Sequence, residues 1–146
     1  MLQRAFAAAC AVMMLIAAAG CAVNRADAML MPDADLSKVK TLYIVHSDAS
    51  KHDADKDLQA AFERRGFVVT TGPAHTPPYA QDAVVTYVDR WMWDITMYEL
   101  ELTATVRSPV NEFPLATAHS MHTSLTRRSP AEMADEVVGG ILAAKH

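Results

Sequence analysis

Five side chains with metal-ligand chemistry crowd one short stretch: His46, Asp48, His52, Asp53 and Asp55. Imidazole nitrogens and carboxylate oxygens suit zinc, but they must converge to about 2 Å from the ion. Their spacing follows no metal motif, so the plain expectation is a polar loop whose carboxylates open a helix. A periplasmic metal or small-ligand site built on His46, Asp48, His52 and Asp53 is the alternative. His119 and His122 stand three apart, and on a strand an odd separation turns side chains to opposite faces. They therefore cannot share one ion there, and with His75 and His146 they read as structural or solvated.

A second cluster is Asp89-Arg90-Trp91-Met92-Trp93-Asp94, which holds both tryptophans of the chain. Exposed aromatic side chains mark binding surfaces, so Tyr87, Trp91, Met92 and Trp93 form the expected partner-binding set. The competing reading is that both indoles simply close off the core. Catalytic signatures do not occur: there is no Gly-x-Ser-x-Gly, no His-Glu-x-x-His and no glycine-rich phosphate loop. The carboxylates Glu99 and Glu101 read as the wet face of a strand. The expectation is a protein without catalytic residues and without a cofactor; a hydrolase assembled from distant Ser, His and Asp has no motif to propose it.

The elements that position these residues follow from periodicity. Thr41-Leu42-Tyr43-Ile44-Val45 predicts a buried strand over 38–45. Leu58, Ala61, Phe62 and Arg65 recur at helical spacing, with aspartates before them, arginines after them and Gly66 as a stop. Phe67–Thr70 is the next strand, and a strand, helix and strand of this length predict a right-handed parallel crossover. A Pro-rich loop over 71–81 leads to a strand over 82–92, a turn over 93–96 and a second strand. In that second strand Tyr98, Leu100, Leu102, Ala104 and Val106 alternate with Glu99, Glu101, Thr103, Thr105 and Arg107. A further strand spans 114–126. Ser129-Pro130-Ala131-Glu132 then opens the last helix with a capping box, and Gly139-Gly140 within it suits close approach to a sheet. The order β-α-β-β-β-α predicts an α+β fold: a two-layer α/β sandwich of one mixed sheet with two helices on one face.

The amino terminus carries a different message. Arg4 is followed by an uncharged apolar run from Ala5 to Ala19, too short for a comfortable membrane span and patterned as an export signal. Its end, Ala18-Ala19-Gly20-Cys21, resembles the lipobox of bacterial lipoproteins, although Ala18 stands where Leu is commoner. The resemblance implies cleavage before Cys21, a diacylglyceryl thioether and an N-acyl group on it. Two lipid signals already suffice for stable anchoring at about 0.8 kcal/mol per buried methylene. Ala22 follows instead of the Asp that retains such proteins in the inner membrane, which favours the outer membrane with the body in the periplasm. An ordinary signal peptide that leaves Cys21 a free thiol, or an uncleaved helix, is the other way to read the same residues. The expected organisation is a signal over 1–20, the acylated Cys21 with a tether to 37, and one domain over 38–146.

Charge and cysteine narrow the classes further. The formal charge is −4, and one unit more negative once Arg4 is removed. An acidic body argues against nucleic acid as a partner, since phosphate binding needs a basic face. Cys10 leaves with the signal and Cys21 is expected to be acylated, so the domain keeps no thiol for a disulfide, a metal or a nucleophile.

The element order after a lipobox resembles small periplasmic lipoprotein modules related to the amino-terminal domain of TolB and to the curli-secretion lipoprotein. The phrase Val88-Asp89-Arg90-Trp91-Met92-Trp93-Asp94-Ile95, followed by a long alternating strand, resembles a group of small proteobacterial outer-membrane lipoproteins. Such modules imply protein contacts at the envelope, with no catalytic residue to carry over. The expected partners are the bilayer, through Cys21, and an envelope protein or a second copy of the chain.

Overall fold

The computed structural model describes residues 23–145, so the expected signal over 1–20 and the expected lipidation site Cys21 lie outside the described residues. The strands are β1 (Arg25–Leu30), β2 (Thr41–Val45), β3 (Val68–Gly72), β4 (Ala83–Asp94), β5 (Thr96–Arg107) and β6 (Pro114–Met121). Helix α1 (Ala54–Glu63) joins β2 to β3, and α2 (Pro130–Ala143) follows a single 3-10 turn at Ser124–Thr126. The strands form one mixed sheet in the order β1-β6-β5-β4-β2-β3. β2 runs parallel to both β3 and β4, and the other pairs are antiparallel. The fold is α+β, one open sheet with two helices.

Both helices pack on the same face. Leu42 and Ile44 of β2, Val85 of β4, and Leu102, Ala104 and Val106 of β5 meet Leu58 and Phe62 of α1 and Met133, Val137 and Ile141 of α2. Each Leu, Ile, Val, Phe or Met among them, fully buried, is worth about 1.5–3 kcal/mol relative to exposure. Arg65 leaves the apolar stripe of α1 and donates to the Asp135 carboxylate at 2.7 Å and to the Ala61 carbonyl at 2.8 Å, which ties the two helices together. Gly66 ends the turn after α1 at φ +89°, a conformation open to glycine without steric cost. In α2 the capping box is formed: the Ser129 hydroxyl accepts from the Glu132 backbone N–H, and the Glu132 carboxylate accepts from the Ser129 N–H at 2.8 Å. A Cβ on Gly140 would stand 3.3 Å from that of Ala118 and 3.4 Å from that of Ala28, so this glycine sets how closely α2 lies on β6 and β1.

Two expectations are corrected. The residues expected as a tether up to 37 already enter the sheet, because Arg25–Leu30 is a sixth strand paired with β6 from Arg25↔Met121 to Leu30↔Ala116. Alternation is present there, with Ala26, Ala28 and Leu30 on the helix side, but alanine is too small and too weak a strand former to announce it. The second correction concerns Glu99. β4 pairs Arg90 with Glu101 but Trp91 with Glu99, so Leu100 is left over as a bulge. One extra residue swaps the faces of everything beyond it. Glu99 thus turns to the helix side, and only 1% of it is exposed.

Candidate interaction site at the end of the sheet

β2 pairs with the first part of β4, and the polar loop that follows it closes over the far half of the β4–β5 hairpin. His46 Nδ1 lies 3.0 Å from Asp55 Oδ2, and that hydrogen bond raises the imidazole above its ordinary pKa. Ser50 donates to Asp89 at 2.8 Å, and the Trp91 indole N–H donates to the same carboxylate oxygen at 2.7 Å. The His52 ring stacks on Trp91 with centroids 3.7 Å apart. Beside this stack is a surface hollow of ≈ 310 Å³ lined by Lys51, His52, Asp89, Arg90, Trp91 and Met97. Under the polar layer both carboxyl oxygens of Glu99 are buried without a hydrogen-bond partner. Burial, then the charges of Asp89 and Asp57, push Glu99 up to about 8. Around neutral pH it is therefore a buried neutral acid.

Beyond this layer the hairpin becomes apolar and exposed. Asp94 pairs with Thr96, and Ile95 alone makes the bend at φ 62°. That conformation is costly for a β-branched residue, and backbone strain of this kind clusters at functional positions. Trp93 is 71% exposed and Ile95 85%, with Met92 and Met97 half exposed beside them. The 3-10 turn is fastened to the tip: the Ser124 hydroxyl donates to Asp94, Arg127 donates to the Thr96 hydroxyl at 2.7 Å, and the Arg127 guanidinium lies 5.0 Å from the Tyr98 ring centroid. This holds Leu125, 87% exposed, beside the hairpin tip.

The residues expected to bind a partner are thus divided. Tyr87 is buried in the core, and its hydroxyl accepts from the Ser47 N–H at 3.4 Å. Trp91 is half-buried under His52, and only Met92 and Trp93 reach the surface. Ile95, Met97 and Leu125 join them, which the sequence shows only as apolar residues next to a turn. The residues expected as metal ligands go separate ways: His46 to Asp55, His52 to Trp91 and Asp53 to Lys56 at 3.0 Å. Among the described residues no three His, Cys, Asp or Glu side chains are placed to hold an ion.

His119 and His122 lie on opposite faces. His119 Nε2 meets Glu101 at 2.7 Å on the face away from the helices, whereas His122 Nε2 meets Glu136 of α2 at 2.7 Å. Glu136 also accepts from the Ser120 hydroxyl at 2.6 Å. Burial pushes the Glu136 carboxyl up, but the bonds from Ser120 and His122 outweigh it and hold the group below its ordinary value. This Ser, Glu and His set is wired differently from a nucleophilic triad. The carboxylate stands between the hydroxyl and the imidazole, so the imidazole does not face Ser120, which is fully buried.

No family model matches the chain, and a comparison of its sequence with curated proteins finds no match. The fold does match solved structures. The PelC dodecamer of Paraburkholderia phytofirmans superposes with a TM-score of 0.59 at 13% identity, over 85% of this chain and 100% of the PelC chain. A single-residue variant of the PelC dodecamer from the same organism gives 0.59 at 14% identity, over 83% of this chain and 96% of that one. A PDZ domain protein from Parabacteroides distasonis gives 0.52 at 8% identity, over 86% of this chain and 38% of that one. At such identities the likeness is one of fold: a bacterial α/β module.

Proposed function

We propose that this chain is a lipid-anchored protein of the outer membrane, facing the periplasm, that works without catalysis as an assembly module for copies of itself. The observation that carries the reading is the match over the whole length of a PelC chain, a protein that forms a dodecamer. Two features of the chain support it. The sheet ends in two strands, β1 and β3, that each pair on one side only, and an open edge offers unpaired backbone groups to another copy. The polar clusters within the fold are wired for structure, as the Ser120, Glu136 and His122 arrangement illustrates. Anchoring rests on the lipobox-like Ala18-Ala19-Gly20-Cys21.

Two differently tagged full-length copies, produced together and extracted in mild detergent, test the assembly. Capture through one tag should bring the other with it, at comparable yield. Recovery of each tag alone, from cells in which both copies are folded and membrane-associated, would refute self-assembly.

A further inference from the structure

The way the chain enters the domain sets which end of the sheet lies toward Cys21. A row of paired residues, Arg25, Met121, Glu101 and Arg90, crosses β1, β6, β5 and β4. β1 begins at this row, so its amino end points the same way as the β4–β5 tip. The hairpin runs on past the row by residues 91–94, roughly 13 Å at about 3.3 Å per residue. Just ahead of β1, Asn24 accepts a hydrogen bond from the Thr126 hydroxyl, next to Leu125. Cys21 is three residues earlier, and a fully extended chain covers at most about 3.6 Å per residue, roughly 11 Å in all. Measured from the same row at Arg25, Cys21 is four residues away and reaches at most roughly 14 Å, about the overhang of the tip.

We propose that the tip formed by Trp93, Ile95, Met97 and Leu125 is a second lipid contact, seated in the interfacial layer of the bilayer that holds Cys21. The proposal rests on acylation of Cys21. The chemistry of the tip fits that occupant. An indole beside aliphatic side chains is the pattern of membrane interfaces, where one part of the ring is apolar and its N–H stays wet. Arg25, Arg127 and Arg128 are exposed around it, where guanidinium groups can pair with lipid phosphates while their stems lie along the apolar surface; Arg90, at the same end, is paired with Glu101 at 3.2 Å. The acid at the tip, Asp94, is engaged by Ser124. Held at two points, the domain stands on the membrane with its sheet edges turned sideways, free for neighbouring copies.

The test uses the full-length protein with a single environment-sensitive nitrobenzoxadiazole label. It is placed by Ile95→Cys at the tip or by Val110→Cys, 69% exposed in the β5–β6 connection at the other end. Each is reconstituted in vesicles of phosphatidylethanolamine and phosphatidylglycerol, with the mass of the amino-terminal peptide read in the same sample. With an acylated terminus, the label at 95 should brighten several-fold and be quenched by nitroxides on the lipid chains, while the label at 110 stays dark and quenchable from water. An acylated terminus with both labels equally wet would overturn the tip contact and leave the anchor standing. An unmodified terminus, with the label also on Cys21, would overturn the anchor and the seating together. Brightening at 95 that grows with protein concentration and ignores lipid nitroxides would assign the tip to a second copy and likewise overturn the proposal.

Discussion

Asn24 accepts a hydrogen bond from the hydroxyl of Thr126, 102 positions further along the chain. It extends the β1–β6 pairing, which brings the amino-terminal segment out of the domain at the end that carries the exposed hairpin tip. On the proposed reading, anchor, tip and sheet edges share one orientation, and several consequences can be measured.

Glu99 should make the fold alkali-sensitive. Its carboxyl is pushed from 4.5 up to about 8, first by burial and then by Asp89 and Asp57. Between those values the folded chain keeps a proton that the unfolded chain releases, so stability falls as pH rises, by up to about 1.4 kcal/mol per pH unit. Glu99→Gln should flatten this slope, leaving the variant a few kcal/mol more stable at the upper end of the window and little changed at the lower end. Denaturant unfolding at a series of pH values checks it; parallel profiles for the two proteins would show that Glu99 is solvated.

The paired glycines of α2 should respond in opposite directions. A Cβ on Gly139 meets nothing closer than Arg65 Nη2 at 3.5 Å, so Gly139→Ala should stabilise by about 0.5–1 kcal/mol through helix propensity alone. Gly140→Leu must push α2 off Ala118 and Ala28, and overpacking of this kind costs about 1–3 kcal/mol. Thermal unfolding of both variants separates the two effects.

Removing Glu136 should be expensive for its size. Glu136→Ala leaves His122 Nε2 unpartnered and the buried Ser120 hydroxyl with only the weak Met133 sulfur acceptor at 3.4 Å, and each unsatisfied buried group costs about 1–3 kcal/mol. Ser120→Ala with Glu136→Gln should recover part of the loss, because fewer groups are then left unpartnered. A double variant as unstable as Glu136→Ala would argue that packing, not hydrogen bonding, dominates there.

The bend at Ile95 should be less stable than it could be. Asn visits the left-handed region more readily than a β-branched residue, whose left-handed conformation costs about 1–2 kcal/mol, so Ile95→Asn should raise the melting temperature slightly. It should at the same time weaken lipid contact at the tip. A stabilised variant with unchanged lipid contact would detach the strained bend from membrane seating.

Much of this architecture was legible in the residues. The crossover around α1, the long hairpin and the capping box at Ser129 all follow from local periodicity and turn chemistry, and the structure has them. β1 escaped because Arg-Ala-Asp-Ala-Met-Leu has a pattern without hydrophobic amplitude, and its strand character comes from pairing with β6. Glu99 escaped because the strand alternates evenly on paper, and only the partner strand reveals that Leu100 is a bulge. The interaction site was half legible. Met92 and Trp93 stood out as exposed candidates, but Tyr87 was claimed by the core and Trp91 by His52. Leu125 reaches the tip only through the tertiary bonds of Ser124 and Arg127.

The central claim is a lipid-anchored chain that assembles with itself, and native mass spectrometry of the full-length protein released from membranes tests both halves at once. The predicted result is a multi-subunit complex whose subunits begin at Cys21 and carry the mass of the acyl groups. A single subunit with an unmodified amino terminus would contradict it.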